Sequence, residues 1–248
     1  MSLSIIIPTK NEADYLPKLL ESILNQKNVN LNQIPIIIAD NNSTDDTITI
    51  AQEYGYKGLQ IKIIEGGLPA QARNNGAKVA TTQWLWFIDA DVILEKDTLS
   101  KYLDTIKNPQ HKIYTSYVFN YSFSPQAWLW FQGYNTILKL KVVVFEVTQN
   151  IIGGYNVIIT KVDFERVGGF DTTINTHEDI KLGRQFTPQE FGVIQSRIKI
   201  SPRRFKRDGF WKVFVMYNRI FWRTRFGSDD YNDTTNRDYF IQDFGSKK

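Results

Sequence analysis

The sequence contains no cysteine, and only two of its 248 residues are histidine, His111 and His177. The absence of cysteine excludes disulfides, zinc–thiolate sites and thiol nucleophiles, and it fits a reducing compartment. With two histidines, a site built from several imidazoles is excluded as well. A metal ion bound by this chain would therefore be held mainly by carboxylates, which suit Mg²⁺ or Mn²⁺ better than zinc.

The sequence also lacks a long uninterrupted apolar run. Residues 1–8 have no basic start and their apolar run stops at Pro8, unlike a signal peptide. The uncharged stretch 113–138 is interrupted by polar side chains and by Pro125, which disfavours a membrane span. We therefore expect a soluble, cytoplasmic protein, with a peripheral position at the inner face of the cell membrane as the alternative.

Charge is unevenly distributed along the chain, whose net charge is +4. Residues 197–225 are strongly basic, and an acidic stretch follows from Ser228 onward. Such a block predicts an anionic partner. Aromatic and basic residues interleave in residues 210–225, which fits either a helix packed on the main domain or an interfacial helix on anionic lipid. Single-stranded nucleic acid also suits this pattern, but nothing else resembles a nucleic-acid-binding module, and we expect no nucleic-acid partner.

Apolar runs alternate with helical spacing through the first hundred residues, with Ser43 predicted to cap the second helix. The predicted strands are 4–7, 35–39, 60–65 and 84–88, and the predicted helices are 13–26, from the Ser43 cap to about 54, 70–80 and 96–106. Later strands are predicted at 111–121, 156–160 and 193–200, and later helices at 126–140, 180–191 and 210–226. Strands that are apolar on both faces and alternate with helices predict an α/β fold with a mostly parallel sheet covered on both sides.

Polar groups follow three of the predicted strands, at Asn11-Glu12, Asp40-Asn41 and Asp89-Ala90-Asp91. In open α/β sheets the ligand crevice lies outside the carboxyl ends of the strands, so we expect the three groups at one edge. Residues i and i+2 of a strand point to the same face, so Asp89 and Asp91 can share the crevice. Two such carboxylates form a plausible cation site.

Taken in order, these motifs resemble the family 2 glycosyltransferases, which have the GT-A fold. The segments that carry the resemblance are 4–12 (SIIIPTKNE), 38–47 (IADNNSTDDT), 72–76 (ARNNG), 88–91 (IDAD), 167–171 (VGGFD) and 178–179 (ED). The resemblance implies a Rossmann-like, mostly parallel sheet with helices on both faces. It also implies a GT-A domain over residues 1–207, with a nucleotide-binding half of about 1–107 and an acceptor half of about 108–207. Residues 208–248 are then a C-terminal extension, made of an amphipathic helix and an acidic tail.

The resemblance implies a nucleotide pocket built from the first matched segments. Pro8, Thr9 and Glu12 would line it. Asp40 would accept a hydrogen bond from a ring N–H of uracil or guanine, for which a carboxylate is suited. Arg73 would lie near the nucleotide and its phosphates.

The resemblance further implies a place for the phosphates and a cation. Asp89 would contact the ribose, and Asp91 would coordinate Mg²⁺ or Mn²⁺. Arg203 and Arg204 resemble an arginine-bearing loop whose guanidinium forks suit diphosphate oxygens. The surrounding sequence, Ser201-Pro202-Arg203-Arg204-Phe205, departs from the Gln-x-x-Arg-Trp motif of processive synthases, so we expect a nonprocessive enzyme.

The second acidic pair is Glu178-Asp179. By resemblance Asp179 is the general base that deprotonates the acceptor hydroxyl, which is a poor nucleophile without such help. Glu178 and His177 are candidate acceptor-side residues. The acidic first turn of a helix is the structural alternative for the pair.

The leading hypothesis is an inverting, metal-dependent transferase that moves one sugar from a UDP- or GDP-sugar to a hydroxyl of a glycan or lipid-linked acceptor. A close alternative is transfer to a polyprenyl phosphate, as in dolichol-phosphate-mannose-synthase-like enzymes. That acceptor is already an anion and needs no strong base. A noncatalytic nucleotide-binding protein and a nucleotidyltransferase are further alternatives.

Overall fold

The computed structural model describes residues 2–120, 156–174 and 178–216, together with isolated positions at 128, 129, 132, 133, 136 and 219. Three predictions lie wholly or largely outside the described residues: the helix at 126–140, His177 and the acidic tail. Of the predicted helix 210–226, residues 210–216 are described and are helical. Within the described ranges, no helix is both long enough and apolar enough to cross a membrane.

The strands of the described residues form one sheet in the order β3-β2-β1-β4-β7-β6-β8-β5. Their bounds are β1 Leu3–Thr9, β2 Ile36–Asp40, β3 Ile61–Glu65, β4 Trp84–Ile88, β5 Val92–Leu94, β6 Ile113–Asn120, β7 Asn156–Thr160 and β8 Phe191–Ile200. The first four pair in parallel, as β3-β2-β1-β4. β7 is antiparallel to β4 and β6, β6 and β8 are parallel, and β5 closes the edge antiparallel to β8. The predicted mostly parallel sheet is therefore confirmed.

Helices cover both faces of this sheet, as predicted. They are α1 Leu16–Leu24, α2 Thr47–Tyr56, α3 Pro69–Val79, α4 Thr98–Lys107, α5 Lys161–Arg166, α6 Glu178–Gly183 and α7 Arg203–Asp208, with 3-10 turns at Leu31–Gln33 and Pro188–Glu190. One apolar core packs α1, α2 and α4 on the sheet, and the other packs α3, α5 and α6. β1 contributes to both, because Ile5 and Ile7 face the first core and Ile6 faces the second.

A buried polar network joins the middle of β4 to β7, β6 and α4. The indole N–H of Trp86 donates to Asn156 Oδ1 at 2.7 Å, and Asn156 Nδ2 donates to Ser116 Oγ at 2.8 Å. The hydroxyl of Tyr102 hydrogen-bonds Ser116 at 2.7 Å. Buried polar groups that satisfy one another in this way favour one arrangement of the strands.

Two predictions of local structure are wrong. The helix predicted over 180–191 begins earlier and ends at Gly183, because Thr187 caps a separate turn that starts at Pro188. Ser43 does not cap α2. The Asp45 carboxylate accepts from the backbone N–H of Thr47 at 3.1 Å instead, and the Ser43 hydroxyl donates to Asp40 at 2.6 Å.

Candidate active site

Asp40 is held at the carboxyl edge of the sheet by a set of donors from β1 and from the loop after β2. Thr9 Oγ1 donates to Asp40 Oδ1 at 2.7 Å. The backbone N–H and the hydroxyl of Ser43 donate to the two carboxylate oxygens at 2.8 and 2.6 Å. Asp40 is buried at the end of β2, beside buried Pro8 and Thr9 of β1. The carboxylate therefore has one fixed orientation, as recognition of a base edge requires.

A first arginine bridge joins the loop after β1 to the loop after β4. Arg203 Nη1 donates to both carboxylate oxygens of Glu12, at 2.9 and 3.1 Å. Its Nε lies 3.1 Å from Asp91 Oδ2, an ion pair without the directionality of a hydrogen bond. The guanidinium carbon is 5.2 Å from the centre of the Tyr15 ring, within cation–π range. We call this cluster of Glu12, Asp91 and Arg203 the Arg203 bridge.

Burial dominates the electrostatics of the Arg203 bridge. It raises the pKa of Glu12 to about 7, opposed by Arg203 and reinforced by Asp91. Burial also raises the pKa of Asp91, again opposed by Arg203, and Asp89 raises it further. Arg204 lowers the pKa of Asp91 and so lies within electrostatic reach of it. The two carboxylates of the Asp89-Ala90-Asp91 motif thus repel each other across a poorly solvated site.

A second arginine bridge joins the end of β4 to α6. Arg73, on α3, donates from Nη2 to Asp89 Oδ1 at 2.8 Å and from Nη1 to Glu178 Oε1 at 2.5 Å. Its guanidinium carbon lies 5.4 Å from the centre of the Phe170 ring. Burial lowers the pKa of Arg73, but Asp89, Glu178 and Asp179 together hold it above the usual value. We call this cluster of Arg73, Asp89 and Glu178 the Arg73 bridge.

The turn before α6 is fixed by the residue that follows Arg73. The side chain of Asn74 accepts from Phe170 N at 2.9 Å and donates to Phe170 O at 2.7 Å. Gly168 and Gly169 have left-handed backbone angles, φ +79° and +73°. A Cβ on Gly169 would lie 2.8 Å from Asn74 Oδ1, so this close approach requires glycine.

Most of the predicted site residues meet at this edge of the sheet. The structure groups Thr9 with Asp40, Glu12 with Asp91 and Arg203, and Arg73 with Asp89 and Glu178. Asp179 is the second residue of α6, and its carboxylate accepts from the N–H of Ile180 at 2.8 Å. The contributions of four residues were not predicted: Tyr15, Ser43, Asn74 and Phe170. Asn74 and Phe170 lie inside motifs that the sequence analysis had identified. Nothing in the sequence near either residue indicates that the two are in contact.

The donor set at this edge fits a hard divalent cation. Within the described residues, no group of three or more acidic, histidine or cysteine side chains converges as a metal cluster. In and next to the two arginine bridges, five acids nevertheless face three arginines among the described residues. The acids are Glu12, Asp89, Asp91, Glu178 and Asp179, and the arginines are Arg73, Arg203 and Arg204. A divalent ion near Asp89 and Asp91 would offset that excess, and its preferred ligands are oxygens.

The fold is the GT-A fold, as comparison with solved structures shows. TarS of S. aureus, solved with UDP-GlcNAc, aligns with a TM-score of 0.65 at 20% identity and covers 81% of this chain and 58% of that one. The mannosyltransferase PcManGT of Pyrobaculum calidifontis, solved with GDP-Man and Mn²⁺, aligns with a TM-score of 0.62 at 20% identity, over 79% and 56% of the two chains.

The sequence matches the profile of "Glycosyl transferase family 2" over residues 4–166. The chain belongs to this family, so the predicted class of enzyme is confirmed at the family level. The poly(ribitol-phosphate) β-glucosyltransferase of Bacillus spizizenii is 30% identical over 117 residues, which is 46% of this chain and 18% of that protein. The validoxylamine A glucosyltransferase of Streptomyces hygroscopicus is 27% identical over 214 residues, 73% and 50% of the two chains. The matched part of this chain thus spans about a fifth to a half of these relatives.

Proposed function

We propose that this chain transfers one sugar from a UDP- or GDP-sugar to a hydroxyl of a glycan or lipid-linked acceptor, with inversion at the anomeric carbon. The observation that carries the proposal is the division of the Asp89-Ala90-Asp91 motif between two arginine bridges. One carboxylate is linked to Glu12, beside the proposed nucleotide pocket, and the other to Glu178, beside the proposed base.

The nucleotide would bind along the ends of β1 and β2. Asp40, oriented by Thr9 and Ser43, would accept from a ring N–H of uracil or guanine, and Pro8 would line the pocket. The solved relatives with UDP-GlcNAc and GDP-Man support a nucleotide sugar as donor. Uracil and guanine each present a ring N–H, so Asp40 would accept a hydrogen bond from either base.

The diphosphate and its cation would occupy the space beside Asp91. Asp91 would hold Mg²⁺ or Mn²⁺ and Asp89 the ribose. The ion would stabilise the negative charge that develops on the departing diphosphate, and the Mn²⁺ complex of PcManGT supports this assignment. Arg203 now pairs with Glu12 and Asp91. Donor binding would exchange those partners for phosphate oxygens, with Arg204 beside it.

Asp179 would act as general base. Its carboxylate takes the proton of the acceptor hydroxyl while that oxygen attacks the anomeric carbon and the bond to the nucleoside diphosphate breaks. A single displacement of this kind inverts the configuration. His177 and Glu178 stay predicted acceptor-side residues. The carboxylate of Glu178 is paired with Arg73.

The test is a donor screen with Mn²⁺ or Mg²⁺ that follows release of nucleoside diphosphate with and without acceptors. We expect turnover of a UDP- or GDP-sugar. Asp179→Asn should lower the transfer rate by about 100-fold or more, and Asp91→Asn should remove the metal dependence of donor binding. Asp104→Asn, at an exposed position on α4, is the control. If no nucleotide sugar is bound or turned over, the proposal fails.

Three outcomes of the same screen would select the alternatives. Substantial transfer by Asp179→Asn would indicate an acceptor that is already an anion, as a polyprenyl phosphate is. Release of pyrophosphate in place of nucleoside diphosphate would indicate a nucleotidyltransferase. Tight nucleotide binding without turnover would indicate a noncatalytic protein.

A peripheral contact with anionic membrane at the cytoplasmic face is a second part of the proposal. In the described part of 210–225, Trp211 and Val215 are 69% and 60% exposed, beside exposed Lys212, whereas Val213 is buried. Exposed aromatic and aliphatic side chains next to bases suit the boundary between headgroups and acyl chains. We expect Trp211→Ser to weaken cosedimentation with phosphatidylglycerol vesicles. Equal binding to phosphatidylcholine vesicles would contradict the charge-based contact.

A further inference from the structure

Arg73 contacts one carboxylate from each half of the proposed site. Asp89 follows β4 in the nucleotide-binding half, and Glu178 opens α6 next to Asp179. The two acids belong to motifs that are far apart in the sequence, and a single guanidinium hydrogen-bonds both, at 2.8 and 2.5 Å. One side chain therefore links the two acids directly.

The surroundings of Arg73 leave its guanidinium poorly placed to receive a phosphate. Its side chain is 4% exposed, and each terminal nitrogen donates to a carboxylate. Its third nitrogen, Nε, is buried and has no hydrogen-bond partner among the described residues. A buried charge that is incompletely satisfied costs stability, so Arg73 is better placed to fix the geometry of the site than to stabilise the fold.

The helix that carries Arg73 is itself rigidly seated. α3 packs against β1 and β2, where Gly76 comes so close that an added Cβ would lie 2.3 Å from Ile6 Cγ2. Asn74, next to Arg73, forms hydrogen bonds with both the backbone N–H and the carbonyl of Phe170. Consecutive residues of one helix thus fix both the turn before α6 and the first residue of α6.

We infer that Arg73 is a positioning residue that sets the carboxylate of Asp179 relative to Asp89, and that Glu178 is its partner in this role. The inference rests on the proposed function, in which Asp179 is the base. It changes the expected effect of substitution, because loss of Arg73 should misplace the base and leave the nucleotide pocket around Asp40 intact.

The test combines Arg73→Lys, Glu178→Ala and Asp179→Asn as single and double variants. We expect Arg73→Lys and Glu178→Ala each to lower kcat by about 10- to 100-fold, the effect of misplacing a reacting group by about 1 Å. The KM for the donor, and the Kd for its nucleoside diphosphate with Mn²⁺, should stay within about twofold. Adding Arg73→Lys or Glu178→Ala to Asp179→Asn should cause little further loss, because a misplaced base and an absent base remove the same contribution.

Two controls separate positioning from a general loss of structure. Glu178→Gln keeps an oxygen that can accept from Arg73, so it should recover part of the kcat that Glu178→Ala loses. Arg166→Lys alters another arginine that lies between two carboxylates, Asp163 and Glu190, in an ion-pair cluster separate from the proposed site, and should leave kcat unchanged. Circular dichroism and thermal unfolding establish that each variant is folded.

Several results would overturn the inference. One is a rise in KM and Kd at constant kcat in Arg73→Lys, which would make Arg73 a nucleotide-binding residue. Additive losses with Asp179→Asn would also overturn it. If Arg73→Lys does not fold, Glu178→Ala with unchanged kcat is sufficient to reject the idea. Full activity of Asp179→Asn alone would instead reject the base assignment, so failure of the proposed function is recognised separately.

Discussion

The two arginine bridges have the same composition but different surroundings. Each places a guanidinium between one carboxylate of the Asp89-Ala90-Asp91 motif and one acid from another segment. Arg73 projects from the middle of an eleven-residue helix, and its side chain is 4% exposed. Arg203 is the first residue of a six-residue helix after β8, and its side chain is 22% exposed.

From this difference we expect that only Arg203 exchanges its partners for a ligand. Near neutral pH, Glu12 is poised between its charged and neutral forms, since its pKa is raised to about 7. Protonation of Glu12 weakens its attraction for Arg203, and the exposed side of Arg203 leaves room for phosphate oxygens. The Arg73 side chain is only 4% exposed and has no such open side. We therefore expect the Arg73 bridge to stay in place when the donor binds, and we expect Arg203 to leave Glu12 and Asp91 for the donor.

The largest expected contrast is in stability. Arg73→Met leaves Asp89 and Glu178 without their shared cation, and removing one partner of a buried pair costs about 3 kcal/mol or more. Arg203→Met should cost about 1 kcal/mol, because Glu12 can take up a proton in response. Urea denaturation at neutral pH, with EDTA present, measures both values. A loss for Arg203→Met equal to that for Arg73→Met would remove the distinction.

The next contrast is in nucleotide affinity. Arg203→Gln should raise the Kd for UDP or GDP with Mn²⁺ by about tenfold, the effect of losing a charge-assisted hydrogen bond to phosphate. Arg73→Lys should change that Kd by less than about twofold. Isothermal titration calorimetry measures the Kd of both variants. If the two variants lose affinity equally, both arginines contact the nucleotide and the contrast is wrong.

A smaller effect is expected in the pH dependence of unfolding. The pKa of Glu12 is raised from 4.5 to about 7 in the folded chain, so the folded state binds more protons than the unfolded state between those values. The free energy of unfolding should therefore fall as pH rises from about 6 to about 7, by about 1 kcal/mol from this group. In Glu12→Gln with EDTA present this part of the slope should disappear. An unchanged slope would place Glu12 at an ordinary pKa.

The smallest effect is expected at a third arginine between two acids. Arg166 is 3.1 Å from Asp163 and 3.8 Å from Glu190, but its side chain is 47% exposed. Exposed ion pairs contribute little, so Arg166→Gln should change the free energy of unfolding by less than about 0.5 kcal/mol. A larger loss in the same denaturation experiment would show that burial is not what separates the three arginines.

The sequence predicts the elements of this fold better than it predicts their contacts. The strands Trp84–Ile88 and Asn156–Thr160 have the predicted bounds, because each is an apolar run between polar residues. The edge that gathers Asp40 and Asp89 follows from the general topology of parallel sheets. The pairing of Arg73 with Glu178 could not be predicted, because sequence spacing does not show which acid a distant arginine reaches. The antiparallel insertion of β7 between β4 and β6 is a long-range feature of the same kind.

A crystal structure of this chain with UDP or GDP and Mn²⁺ would show directly whether Arg203 changes its partners when the nucleotide binds and whether Arg73 keeps its own. The Arg73 bridge should be unchanged, with both hydrogen bonds to Asp89 and Glu178 in place. Arg203 should have left Glu12 and Asp91 and should contact phosphate oxygens, with Asp91 on the metal. A complex in which Arg203 keeps its present partners while Arg73 turns to the phosphates would contradict the account.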